Sequence, residues 1–350
     1  MSKKVLVGIS GGIDSAVTAL QLKQEGFEVL GVHLQMVEEP LELQLRINQI
    51  AGVLQIEIPT LDCREAFQNI VIDAFRLGHL AGNTPSPCST CNPQLKWQLL
   101  QDTADQYGIE YIATGHYIQT VQDDGLWYLK KGNDPLKDQS YFLWGLDQKV
   151  LPRIITPLGT LTKQEVRQIA QLSGLQFLDK QKESTGLCFA QGLGYADLIR
   201  KYIPESVDFP KGPVVDQEGF KIGEHNGYLY YTIGQKKDIF WYHVTDKALC
   251  IVKIIPETNT LVAGLPESLW NKEFYVNNCR IINEKLLLES NEIEVKVRGY
   301  GLNPDGFASI VKTGPAQYHV TLKKAAWAMA PGQPVVFYHQ NMLLGGGICQ

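Results

Sequence analysis

No stretch of the 350-residue chain approaches the ~20 consecutive apolar residues needed to cross a bilayer, so no membrane partner is expected. The opening Met1-Ser2-Lys3-Lys4-Val5-Leu6 runs straight into a strand-like segment without a signal-peptide core, and cytoplasmic localisation is the expectation. A strong charge of one sign is missing too. Against 37 Asp and Glu stand 32 Lys and Arg, a net charge of −5, so a nucleic-acid partner would have to meet local basic clusters. Neither G-x-x-x-x-G-K-[ST] nor G-x-G-x-x-G occurs, which removes two common phosphate-binding signatures. Cysteine is sparse and odd in number: seven, at Cys63, Cys88, Cys91, Cys188, Cys250, Cys279 and Cys349. That is no disulfide framework, and most of these read as small apolar core residues. Only Cys88-x-x-Cys91 has redox, metal or sulfur spacing, and the lack of a second such pair argues against a structural four-cysteine zinc site.

What is present describes a globular protein. Hydrophobic content is 44% and the length suggests two or three domains. The first half alternates strand-like and helix-like stretches: strands at 5–10, 27–36, 54–61 and 111–114, helices at about 14–26 and from Leu95 to about Tyr107. Such alternation predicts a parallel sheet covered by helices. Thr162-Lys163-Gln164-Glu165 has the capping-box pattern and opens a helix ending near Gly174. From about residue 205 glycine and proline punctuate short strand-like stretches, at 228–233, 249–255 and 260–262. Beyond Phe274 the chain reads as all-β, with strands at 293–297, 318–322 and 335–338. The predicted fold class is α/β, with a nucleotide-binding domain over 1–204, a small β-rich domain over 205–272 and a C-terminal β-barrel over 273–350.

Gly8-Ile9-Ser10-Gly11-Gly12-Ile13-Asp14-Ser15 lies between the first strand and the first helix. Its glycines let a ligand approach the backbone, and helix-start N–H groups favour an anion. Ser10 and Ser15 add hydroxyl donors. Asp14 would repel a phosphate, which points to a bridging Mg²⁺ or a capping role for it. The complete S-G-G-x-D-S pattern resembles the PP-loop of the ATP pyrophosphatases. That resemblance implies ATP as co-substrate, bound by residues 8–15 and cleaved between its α- and β-phosphates.

Further matches run in order along the chain. Thr84-Pro85-Ser86-Pro87-Cys88-Ser89-Thr90-Cys91-Asn92 and Glu183-Ser184-Thr185-Gly186-Leu187-Cys188-Phe189 resemble segments of the tRNA-specific 2-thiouridylases. So do Ala113-Thr114-Gly115-His116-Tyr117, Lys137-Asp138-Gln139-Ser140-Tyr141, Tyr231-Thr232-Ile233-Gly234-Gln235-Lys236-Lys237, Ala330-Pro331-Gly332-Gln333 and Gly345-Gly346-Gly347-Ile348. By this resemblance Cys188 carries a persulfide received from a sulfur-relay donor protein, and Cys91 is its partner nucleophile. Met36 and Gly115 would face ATP, each with a packing role as the alternative. Ser86, Pro87, Cys88, Lys137, Asp138, Gln139, Arg298 and Gly299 would meet tRNA, with Lys236 and Lys237 as further phosphate contacts. His116 reads equally well as structural.

Two sulfur routes stay open: direct attack by the Cys188 persulfide on the base, or sulfide released from it by Cys91. An iron–sulfur cluster on Cys88, Cys91 and Cys188 is an alternative that is not favoured. The sequence departs from the family after Met36, where residues 37–47 are short and glutamate-rich, at Ser86, at Pro93-Gln94, and at Arg298-Gly299-Tyr300-Gly301. Rival readings are a PP-loop ligase using a nitrogen nucleophile, and a non-catalytic RNA-binding module.

Overall fold

The computed structural model describes residues 3–179, 186–203, 210–242 and 248–350. In chain order the first elements are β1 (Lys4–Gly8), α1 (Ile13–Gln24), β2 (Glu28–Gln35), α2 (Leu41–Leu54), β3 (Thr60–Asp62) and α3 (Arg64–Phe67). Then come α4 (Asp73–Leu80), α5 (Pro87–Cys91), α6 (Trp97–Gln106), β4 (Tyr111–Thr114), β5 (Ile118–Asp123), β6 (Leu126–Lys131), β7 (Ile154–Ile155), α7 (Lys163–Leu172) and α8 (Tyr195–Tyr202). The chain divides into two compact units. One comprises Met1–Val71, Cys88–Thr185 and Asn341–Leu344, the other Ile72–Pro87, Gly186–Gln340 and Gly345–Gln350.

The first unit is built on a five-stranded sheet of order β3-β2-β1-β4-β7, parallel throughout. Val5, Leu6 and Val7 of β1 are 0% exposed, as a central parallel strand covered on both faces requires. The chain leaves β1 for β2 on one side and later adds β4 on the other. The carboxyl ends of β1 and β4 therefore flank the switch point where open α/β sheets bind ligands. α1 packs Ala16, Val17, Ala19 and Leu22 into the main core with Val166 and Ala170 of α7. The predicted capping box is present: Glu165 N donates to Thr162 Oγ1 at 3.3 Å, and Thr162 N donates to the Glu165 carboxylate at 2.7 Å.

Beyond α8 the chain forms two β structures. β8 (Gly212–Val215), β9 (Lys221–His225), β10 (Phe240–Trp241), β11 (Cys250–Ile255) and β12 (Thr260–Gly264) form a sheet of order β10-β9-β8-β12-β11. β13 (Trp270–Ile281), helix α9 (Glu284–Glu289), β14 (Ile293–Lys296), β15 (Phe307–Gly314), β16 (Gln317–Trp327), β17 (Pro334–His339) and β18 (Met342–Cys349) follow. Their six strands run β13-β16-β15-β14-β17-β18, and β18 pairs back onto β13, closing an antiparallel barrel. Closure removes the exposed strand edges that invite aggregation.

One expected strand is shorter than its apolar run and another is not a strand. Residues 54–61 end α2 and pass through Gln55, which takes the left-handed conformation (φ 50°); the Glu57 and Pro59 carbonyls then accept from Gly31 N and His33 N of β2, and the regular strand β3 covers Thr60–Asp62. Residues 228–233 begin as a 3₁₀ turn over Tyr228–Tyr230. Tyr228 and Leu229 are buried next to each other, which a strand's alternation forbids on one face.

Candidate active site

The phosphate loop is tied by its own polar atoms. Gly11 is left-handed (φ +76°), and α1 starts after Gly12 without a side-chain cap. Ser15 Oγ donates to Gly12 O at 3.0 Å and accepts from Ser10 N at 3.2 Å, while Ser10 Oγ lies 3.3 Å from Ser15 Oγ and 3.4 Å from Gly12 N. A left-handed glycine followed by a helix start gathers successive N–H groups into a concave anion site. A Cβ on Gly12 would meet only Ser10 Oγ, at 3.5 Å, so its open side faces ligand space. These residues fit a nucleotide's phosphates.

Asp14 does not cap α1, and its carboxylate is already paired. Lys163 Nζ donates to both of its carboxylate oxygens, at 2.6 and 2.8 Å, and the Tyr117 hydroxyl donates at 2.7 Å. This arrangement does not fit a resident Mg²⁺ ligand. It does neutralise a carboxylate that would otherwise repel an incoming anion. Lys163 is a site residue that the sequence reading missed, since only a long-range contact reveals it. Gly115 follows β4, and a Cβ there would lie 2.7 Å from Ser15 N, so it is a close-packing position beneath the start of α1.

His33 of β2 is buried and spans two segments: Nδ1 meets the Ile9 carbonyl and Nε2 the Glu39 carboxylate, both at 2.8 Å. Met36 follows β2 at the same sheet edge. Cys91 donates its S–H to the Met36 thioether across 3.9 Å. The two cysteines of C-x-x-C are three apart in α5, on one face, with Cys91 7% exposed and Cys88 half-buried. Pro93 has no N–H to continue the ladder, and the next turn widens to a π-helix over Asn92–Lys96. Asn92 Nδ2 donates to the Cys88 carbonyl at 2.9 Å and holds that turn.

Other expected contacts are engaged in the fold. Asp138 is buried and accepts from Ser140 N and Ser140 Oγ, both at 3.1 Å. Gln139 Oε1 accepts from Tyr117 N at 3.1 Å, and Lys137 N donates to the Asp134 carbonyl. In the second unit, the Arg298 guanidinium donates to the carbonyls of Trp327 and Ala328 at 2.9 and 2.6 Å, next to Gly299. Lys236 and Lys237 are exposed. Ser86 and Pro87 lead into α5.

Cys188 belongs to the second unit and is exposed on a turn, while the adjacent Phe189 is buried edge-on to Phe75 and Tyr202. Glu183, Ser184 and Thr185 of its motif lie outside the described residues. No disulfide joins the cysteines. Burial pushes the thiols of Cys63 and Cys349 up to about 11 and that of the half-buried Cys279 up to about 12, and raises that of Cys250, which disfavours the reactive thiolate at all four. Among the described residues no group of three or more His, Cys, Asp and Glu is gathered to hold a metal.

His116 is a core residue. It stacks on Trp97 and pairs through Nδ1 with Thr114 Oγ1 at 2.7 Å; burial, with the charge of Lys96, pushes its imidazole down to about 3. His79 is likewise pushed down to about 4 by burial. Both native pKa values lie below the unfolded ~6.5, so the unfolded chain binds more protons as pH falls through that window. Stability should therefore decline from about pH 6.5 towards pH 4, each imidazole contributing up to ~1.4 kcal/mol per pH unit. Urea midpoints at pH 7 and pH 5 test this. His79→Gln and His116→Gln should each flatten the difference, and an unchanged difference refutes the assignment.

The first half of the chain is therefore an α/β phosphate-loop domain with a cysteine pair at the carboxyl edge of its sheet. Family profiles agree with that class and carry it further. A tRNA methyl transferase HUP domain matches residues 3–192, a tRNA methyl transferase PRC-barrel domain 196–264, and an aminomethyltransferase beta-barrel domain 271–349. A tRNA-specific 2-thiouridylase MnmA 1 from Bacteroides fragilis is 37% identical over 358 residues, 99% of this chain and 97% of that protein. The tRNA-specific 2-thiouridylase MnmA of Sulfurimonas denitrificans is 36% identical, over 99% of this chain and 98% of its own. A solved NH3-dependent NAD synthetase from Campylobacter jejuni overlaps 59% of this chain and 78% of its own at 18% identity, with a TM-score of 0.33. The chain belongs to the tRNA-specific 2-thiouridylase family.

Proposed function

We propose that this protein thiolates a uridine of tRNA, the wobble uridine, at C2, using ATP and a cysteine persulfide. The observation that carries the reading is the placement of the Cys91 thiol against Met36, at the carboxyl edge of the sheet whose central strand opens the phosphate loop. Phosphate chemistry and sulfur chemistry thus share one edge.

The C2 oxygen attacks the α-phosphorus of ATP and pyrophosphate leaves, which turns C2 into an electrophile with AMP as its leaving group. The loop N–H groups and the Ser10 and Ser15 hydroxyls hold the departing phosphates, and Lys163 keeps Asp14 neutralised. Mg²⁺ accompanies the triphosphate rather than residing on Asp14. In the direct route the Cys188 persulfide attacks C2 and expels AMP. Cys91 thiolate then attacks the Cys188 sulfur, leaving the outer sulfur on C2 and a Cys91–Cys188 disulfide. In the alternative route Cys91 first releases hydrosulfide from the persulfide, and the hydrosulfide attacks C2. Both end in the same disulfide, which a two-electron reductant must reopen.

Catalysis belongs to residues 1–204, while 205–272 and 273–350 grip the tRNA. Ser86, Pro87, Cys88, Lys137, Gln139, Arg298 and Gly299 are its expected contacts, and Asp138 serves through the turn it stabilises. The base must leave its stack to reach the loop. A donor protein delivers the sulfur to the exposed Cys188, and the need for ATP, tRNA and reductant suits the cytoplasm. The test supplies ATP, a persulfide donor and unmodified tRNA and measures 2-thiouridine and pyrophosphate. Pyrophosphate without 2-thiouridine would favour a nitrogen-using ligase, and tRNA binding without pyrophosphate a non-catalytic module.

A further inference from the structure

The short, glutamate-rich segment after Met36 leads into α2, whose first two turns close over Gly11. A Cβ on Gly11 would meet Leu43 Cδ1 at 2.5 Å and Ile47 Cγ1 at 3.4 Å, so these side chains occupy the space beside the glycine. Between them in sequence, Arg46 Nε donates to the Gly11 carbonyl at 2.8 Å. Residues 43, 46 and 47 share one helical face, so the clamp follows from α2's register. Glu39, just before α2, is bound to His33, which also meets the Ile9 carbonyl two residues before Gly11. The segment is thereby fastened to the phosphate loop at both ends.

The Arg46 bond has a directional consequence. In a trans peptide the C=O and the following N–H point to opposite sides. Holding Gly11 O towards α2 turns Gly12 N–H the other way, where its neighbour is Ser10 Oγ at 3.4 Å. A contact that long is weak and yields readily to a charged oxygen. Gly12 N–H is also among the first donors of α1, where an anion is favoured. We propose that Arg46 is a positioning residue for the phosphates of ATP, acting through the Gly11–Gly12 peptide. The inference rests on the reading that residues 8–15 bind ATP. Its partly desolvated guanidinium suits a structural bond better than a solvated surface charge.

Two substitutions separate the bond from the charge. In Arg46→Gln the side-chain amide nitrogen stands as many bonds from Cα as Nε does, so the donor is kept and the charge is lost. Arg46→Met loses both. ATP and tRNA affinities are measured by calorimetry on the full chain, with kcat taken at saturating ATP. Arg46→Met should weaken ATP binding roughly tenfold with tRNA affinity and kcat unchanged, and Arg46→Gln should restore ATP affinity to within about threefold. Wild-type affinity in Arg46→Met overturns the proposal, as does a Gln variant as weak as the Met variant, because charge would then be the agent. A wild-type protein that binds no ATP would instead refute the reading of the loop itself.

Discussion

Serine at Cys91 or Cys188 abolishes 2-thiouridine formation, with a fall of at least ~10³-fold expected for loss of a nucleophile. A serine hydroxyl carries no sulfane sulfur and cannot open an S–S bond. The same experiment resolves the two sulfur routes. If the Cys188 persulfide attacks the base directly, Cys91→Ser stalls with tRNA joined to Cys188 through two sulfurs, a covalent adduct visible by mass spectrometry and released by thiol. If Cys91 liberates hydrosulfide, Cys91→Ser keeps an intact persulfide and forms no adduct, while Cys188→Ser supplied with inorganic sulfide still yields product. Cys63→Ser is the control, since burial pushes that thiol up to about 11 and keeps it protonated. Full activity in Cys91→Ser or Cys188→Ser with the protein-borne donor would end the two-cysteine mechanism.

Gly115→Ala should be nearly as damaging, without touching a reacting atom. Its Cβ would sit 2.7 Å from Ser15 N, 2.8 Å from Asp14 C and 3.0 Å from Asp14 Cβ. The first two are backbone atoms of α1, so no side-chain rotation relieves the clash and the start of the helix must move. Overpacking of this kind costs ~1–3 kcal/mol, and a shift approaching 1 Å in a binding loop costs about a hundredfold in function. Gly52→Ala, in α2 and outside the loop, is the comparison, because its Cβ would meet nothing within 4 Å. The expected result is a lowered melting temperature and about a hundredfold weaker ATP binding in the first, and little change in the second. Near-native ATP binding by Gly115→Ala would show that α1 is not held from below by β4.

Local features were the legible ones. The capping box at Thr162, the apolar run of β1 and the glycine loop are each specified by neighbours within a few residues, and each is where the sequence puts it. The α2 helix was hidden because Leu41, Leu43, Leu45 and Ile47 alternate with polar residues, a period of two that belongs to a strand, and Leu41 and Leu45 in fact stay exposed. The β5–β6 hairpin was signalled by Asp124-Gly125, both with positive φ, yet the signal went unused. Strand order, the Lys163 bond to Asp14 and the Arg46 bond to Gly11 depend on which distant segments meet. No local spacing encodes them.

The Asp14–Lys163 bond also sets an order of events in biosynthesis. The two residues are separated by 149 positions, so at 5–20 residues per second Asp14 leaves the ribosome roughly seven to thirty seconds before its counter-ion does. Until α7 emerges, the phosphate loop carries an uncompensated carboxylate and lacks one of its packing partners. A nascent chain should therefore acquire affinity for nucleotide only after the helix opened by Thr162 has been made.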